Sequence, residues 1–179
     1  MKTVIVGRVW KFGDNVDTDI ITPADTTSFG MSDAQEWKIV AENAFRAVRR
    51  DFHKSVQPGD ILVAGRNFGL GSHREHANIV LRHLGFAAVI AESVARIYFR
   101  NSIATGMPIF AVPGIVRLAE EGDELEIDME RWKVRNRTSA RELPMQPYSP
   151  IVQNILEGGG ILEVLRERIL AEGHTQPGA

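Results

Sequence analysis

The chain of 179 residues contains no cysteine. That excludes disulfides and leaves no thiolate with which this chain could hold an iron–sulfur cluster. The lack fits a reducing compartment. A basic block is also missing, as is any low-complexity tract. The formal net charge is −2, so no broad attraction to nucleic acid or to an anionic membrane is expected. No apolar run reaches the roughly 20 residues that a spanning helix needs. Aromatic residues are few, and Trp10, Trp37 and Trp132 are scattered, which reads as packing rather than a stacking platform. Met1 to Arg8 carries a single lysine and a short β-rich run, so it reads as a first strand and not as a signal peptide. The expected address is the cytoplasm.

The pattern that remains is that of one domain over residues 1–172, with a tail at 173–179 expected to be disordered. Thr3 to Trp10 reads as a strand and Lys11 to Gly30 as a long polar loop. Ser32, with Gln35 at the capping-box position, opens a helix whose apolar face is Trp37, Val40, Ala44, Phe45 and Val48. Pro58-Gly59-Asp60 turns into an apolar strand at Ile61. Ala77, Val80, Leu81 and Leu84 follow helical spacing, and Gly85 stops that helix. Phe86 to Ala91 is a further apolar strand. Ser93 caps a helix from Val94 to Thr105, and Pro108 to Val112 is the next strand. The order strand, helix, strand, helix, strand from Ile61 to Val112 predicts a parallel βαβαβ core. Glu124 to Met129 and Arg131 to Thr138 alternate as a hairpin does. Ser149-Pro150 starts a helix, Gly158-Gly159-Gly160 interrupts it, and a last helix runs through Leu170.

The densest signal is Gly65-Arg66-Asn67-Phe68-Gly69-Leu70-Gly71-Ser72-His73-Arg74-Glu75-His76-Ala77. A glycine-rich turn delivers a serine and an arginine to the start of a helix. Unpaired N–H groups and a partial positive charge at such a terminus suit a carboxylate or phosphate. Three better-known motifs fail by letter. No lysine follows for a phosphate-binding P-loop. Arg74 stands where a dinucleotide fingerprint and a hydrolase elbow both require glycine. The same residues also fit a plain capped turn, with Ser72 as N-cap and Glu75 closing a capping box. His73 and His76 have no H-E-x-x-H spacing, so a metal is not expected, and His76 reads as a packed or capping histidine. Arg96 and Arg100 read as solvated or core-pairing.

Three segments occur in order: Gly13-Asp14-Asn15-Val16-Asp17-Thr18-Asp19-Ile20-Ile21, then Gly69-Leu70-Gly71-Ser72-His73-Arg74-Glu75-His76-Ala77, then Ala91-Glu92-Ser93-Val94-Ala95-Arg96-Ile97-Tyr98-Phe99-Arg100-Asn101. On these the chain resembles the 3-isopropylmalate dehydratase small subunits, the swivelling domain of aconitase-type hydro-lyases. The resemblance implies an α/β fold, layered β/β/α with a mixed sheet around the parallel core. It implies a separate large subunit carrying a [4Fe–4S] cluster, in a heterodimer or heterotetramer, and no cofactor or metal on this chain. The implied reaction isomerises a 2-hydroxy dicarboxylate by dehydration and rehydration, as in leucine biosynthesis.

Carried over by position, Ser72 is the base and Arg74 binds a substrate carboxylate. Asp19 lies near the site, although a loop aspartate making an Asx turn fits it equally. The helix terminus and Arg74 would both stabilise a serine alkoxide. Two departures bear on substrate. His73 stands where the family has a second serine; it is expected to contact the substrate and to narrow the site. The loop Ala24 to Gly30 lacks the usual specificity segment and reads Asp25-Thr26-Thr27-Ser28-Phe29-Gly30. Thr26 and Thr27 are expected to face the substituent, and Asp25 would repel a carboxylate unless turned away. No arginine there pairs a third carboxylate. An isopropylmalate is therefore expected, a smaller alkyl-malate is its rival, and a stand-alone anion-binding module is the reading from a different class.

Overall fold

The computed structural model describes residues 3–27, 33–72 and 74–172. Ser28 to Gly30, Ser32, His73 and the 173–179 tail, all singled out above, lie outside the described residues.

Strand β1 (Val4–Lys11) is followed by a short helix α1 (Thr18–Ile21) and a 3-10 turn (Ala24–Thr26), then α2 (Ala34–Asn43). The central run is β2 (Ile61–Ala64), α3 (His76–Leu84), β3 (Ala88–Ala91), α4 (Arg96–Ala104) and β4 (Ile109–Ala111). After α5 (Ile115–Leu118) come β5 (Glu124–Asp128), β6 (Lys133–Asn136) and β7 (Glu142–Pro144), then α6 (Pro150–Glu157) and α7 (Ile161–Ala171). The strands form one seven-stranded sheet in the order β4-β3-β2-β1-β5-β6-β7. β2, β3 and β4 are parallel, as the strand–helix alternation predicts. β1 joins the two halves: it runs parallel to β2, with Val9 opposite Ile61, and antiparallel to β5, with Ile5 opposite Ile127. The sheet is therefore mixed.

Both faces of the parallel half are covered, which is why its strands read as unbroken apolar runs. Leu62 and Ala64 of β2 and Val89 and Ala91 of β3 face a core with Phe45, Val80, Leu81 and Tyr98. Their neighbours Ile61, Val63, Ala88 and Ile90 face the opposite core, with Ile115, Leu125, Ile127 and Val134. Alternate side chains of one strand thus build two cores, as the period of two requires.

The structure corrects several expectations. The segment from Lys11 is not uniformly a loop. Asp17 caps α1 by accepting a hydrogen bond from Ile20 N at 2.7 Å, an arrangement worth about 1 kcal/mol. Helix α2 is capped by Asp33, whose side chain accepts from Gln35 N, and it ends at Asn43. Val40, Ala44 and Phe45 are buried, whereas Val48 lies beyond the helix end and is 54 % exposed. Ser93 does not cap α4: its hydroxyl accepts from Asn67 N, and α4 starts at Arg96 without a side-chain cap. β7, paired with β6, was not read from the sequence. Its three residues include Pro144 and are too short to show alternation.

Candidate active site

The glycine-rich turn between β2 and α3 is stitched to the segment after β1. Thr18 N donates to Leu70 O at 2.9 Å and Gly69 N to Val16 O at 2.8 Å. Arg66 N donates to Asp14 Oδ1 at 2.7 Å, and Asn67 Nδ2 to Asn15 Oδ1 at 3.0 Å. Two of the three motif segments are thereby brought together. The third joins through Tyr98, whose buried hydroxyl donates to Ala77 O at 2.7 Å. Burial pushes that phenol well above its ordinary range, so it stays a neutral donor. Gly69 is required at its position. Its φ is +76°, and a Cβ there would lie 2.1 Å from the Tyr98 ring.

Ser72 is not the helix N-cap. Glu75 occupies that place and makes no side-chain cap, so no capping box forms. Instead Ser72 Oγ accepts from Arg74 N and from Arg74 Nε, both at 3.2 Å. Ser72 N donates to Thr18 Oγ1 at 2.9 Å. The Arg74 guanidinium is fixed on three sides. Besides Ser72, its Nη1 donates to Thr27 Oγ1 at 3.2 Å, and its Nη2 lies 3.7 Å from Asp19 Oδ1. Asp19 is largely exposed and Arg74 about one-third exposed, so that ion pair is loose.

Thr18, Thr22, Thr27, Ser72, Arg74, His76 and Ala77 line one recess. Of the residues singled out from sequence, Ser72, Arg74 and Thr27 meet there, and Asp19 touches it through Arg74. Thr26 does not line it; its hydroxyl donates to Pro23 O at 2.7 Å within the 3-10 turn. Asp25 is turned to Arg46, whose Nη2 lies 2.7 and 2.6 Å from its two oxygens.

Thr18, Thr22 and His76 were missed as members of the site. Thr18 stands beside Asp19, and its signal was only the Asp-Thr-Asp segment. His76 packs on Trp37, ring centroids 5.8 Å apart, so the packed reading holds, yet it also lines the recess. Burial lowers its pKa, the Arg74 charge lowers it further and Glu75 opposes them. Among the described residues, no group of three or more His, Asp or Glu side chains is placed to hold a metal ion.

The structure is a mixed α/β domain whose glycine-rich turn presents serine and arginine together. The model of the aconitase C-terminal domain matches residues 27–111. The chain is 44 % identical to the 3-isopropylmalate dehydratase small subunit of Thermodesulfovibrio yellowstonii, over 94 % of this chain and 97 % of that one. It is 42 % identical to the methanogen homoaconitase small subunit of Methanothermobacter thermautotrophicus, over 90 % and 91 %. The crystal structure of 3-isopropylmalate dehydratase from Methanocaldococcus jannaschii superposes with a TM-score of 0.85 at 34 % identity, covering 95 % of this chain and 98 % of that one. The chain belongs to the 3-isopropylmalate dehydratase small-subunit family, hydro-lyase subunits that work with a large subunit.

Proposed function

We propose that this chain is the swivelling subunit, residues 1–172 as one unit, of a cytoplasmic hydro-lyase that interconverts 2- and 3-isopropylmalate. Ser72 removes the proton from the carbon beside the one bearing the hydroxyl. Arg74 binds a substrate carboxylate through its planar fork, with Thr27 and Asp19 setting the plane of the guanidinium. His73 is proposed to contact the substrate as well. A [4Fe–4S] cluster on the large subunit supplies a Lewis acid for the substrate hydroxyl when the two subunits meet. This chain has no cysteine with which to hold that cluster.

The observation that carries the reading is the pair of hydrogen bonds from Arg74 N and Nε to Ser72 Oγ. Donors aimed at a hydroxyl oxygen favour its ionised form, and a fixed cation beside it favours it further. The recess is also suited to an interface. Its volume is about 10 Å³, room for a single water, so a dicarboxylate needs a second wall. The large subunit provides it, in a heterodimer or heterotetramer.

The substrate follows from charge. Arg74 takes one carboxylate and the partner takes the other. Asp25, being engaged by Arg46, leaves the loop neutral toward an alkyl substituent. Burying an unpaired third carboxylate costs several kcal/mol, of order 3–5 for a broken buried pair. The test is reconstitution with the large subunit and comparison of kcat/KM for isopropylmalate, smaller alkyl-malates, citrate and homocitrate. Preference for an alkyl-malate is expected. Preference for homocitrate, the direction in which the name of the Methanothermobacter relative points, would overturn the substrate assignment. Turnover by this chain alone would overturn the division of labour.

A further inference from the structure

We infer that His76 and Thr22 hold one ordered water behind Ser72, and that this water is a working part of the base. The inference rests on the proposed role of Ser72. Thr22 is 3 % exposed, and its Oγ1 is buried without a hydrogen-bond partner among the described residues. His76 Nδ1 is in the same position. Both residues line the recess on which Ser72 opens. Two such atoms around one small polar recess are what a buried water satisfies. Such waters make about three hydrogen bonds, and the volume here, about 10 Å³, suits one.

The third bond goes to Ser72. A hydroxyl has two acceptor sites and one hydrogen. Arg74 N and Nε occupy both acceptor sites of Ser72 Oγ. Its hydrogen is left to donate, and the water receives it in the resting state. The Ser72 proton leaves to bulk solvent before turnover, and the same water then turns and donates to the alkoxide. Its other hydrogen goes to His76 Nδ1, which accepts in the tautomer that carries its proton on Nε2. Thr22 Oγ1 donates to the water throughout. No covalent bond changes at the water. His76 and Thr22 are positioning residues, because neither touches the reacting carbon. They sit on two different elements: His76 opens α3 and Thr22 closes α1. The water thus ties the Asp-Thr-Asp segment to the serine turn from behind.

The test is a double-mutant cycle in the reconstituted complex, with Thr22→Val and His76→Phe as shape-conserving changes. Each should lower kcat at least about 10-fold while KM stays within about 3-fold, the pattern for a group that acts only in the transition state. The double variant should be no slower than the slower single, since both changes remove one water. Thr22→Ser and His76→Asn each restore a polar atom in place and should recover most of the loss. The same cycle is run on thermal unfolding of the isolated chain, and a high-resolution crystal structure of that chain looks for the water itself. Multiplying effects in the double variant, or a recess without water, overturns the inference. A wild-type complex that turns over no substrate overturns the function instead, and the unfolding cycle and the crystal structure still decide on the water.

Discussion

Arg46 holds Asp25 through a single nitrogen, Nη2, placed 2.7 and 2.6 Å from the two carboxylate oxygens, while its Nη1 donates to Asn43 Oδ1 at 3.0 Å. The Arg46 hydrogen bond holds the Asp25 carboxyl below its ordinary range, and the arginine charge adds to that. The carboxylate that sequence alone sets against an anionic substrate is thereby engaged two residues before Thr27.

Arg46→Ala should therefore act through charge. The pair is exposed, so melting temperature should hardly move. KM for the dianionic substrate should rise about 2- to 5-fold, and more at low salt, because screening of exposed charges weakens there. Adding Asp25→Asn should return KM toward the wild-type value. An unchanged KM in the single variant would show that Asp25 does not reach the substrate's field.

Gly69→Ala should destabilise the chain by several kcal/mol, about 3 or more. The change combines a left-handed backbone with a Cβ driven into a buried ring, two of the mechanisms behind large single-site losses. The check is chemical denaturation. A loss below about 1 kcal/mol would mean that the turn can relax away from Tyr98.

Asp60 is a buried acid, 4 % exposed. Burial alone would raise its pKa. Arg8 Nη2 at 2.7 Å, Gln57 N at 2.8 Å and Trp10 Nε1 at 2.6 Å outweigh that and hold it below the ordinary value. With the folded pKa depressed, its contribution is complete above the unfolded value, near 4, and is lost as pH falls through the folded one. Asp60→Asn should cost about 2 kcal/mol, discounted for the half-exposed Arg8, and should flatten stability below pH 4. An unaltered acid limb would show that other carboxylates dominate it.

His76 and His83 give a second, separate window. Burial lowers both pKa values, and neighbouring arginines, Arg74 and Arg82, add to it. The unfolded chain binds protons that the folded one refuses. Stability from this source is complete above the ordinary value of 6.5 and falls as pH drops through it toward the folded values. Melting temperature should decline between pH 7.5 and 5.5, and His83→Gln should remove part of that decline. His83 stacks on Trp37 at 4.8 Å, so the variant also needs comparison at pH 8, where only the lost packing remains. A melting temperature independent of pH over this range would contradict the shifts.

The parallel core was legible because β2 and β3 are apolar at every position, as strands covered on both faces are, and helical segments alternate with them. Ser72, Arg74 and Thr27 were legible as a group only through the ordered motifs. What the sequence hid is local hydrogen-bond competition. Ser72 and Ser93 both looked like N-caps, yet one receives Arg74 and the other Asn67 N, across 26 residues. Asp17 and Asp33 took the caps that polar-loop and Ser32 readings missed. Thr22 and His76 escaped because nothing in spacing marks a polar atom that folding leaves unpaired.

The most direct measurement is turnover of isopropylmalate by Ser72→Ala in the complex reconstituted with its large subunit, alongside Arg74→Lys. Ser72 is not a helix cap, so the alanine variant should melt close to wild type and assemble normally. Its kcat should fall by at least about 10²-fold with little change in KM, as expected for loss of a positioned base. Arg74→Lys should raise KM as well as lower kcat, because a point charge replaces a fork that holds the serine and, in the proposed function, the substrate carboxylate. A folded, assembled Ser72→Ala complex that turns over at the wild-type rate would contradict the assignment of the base.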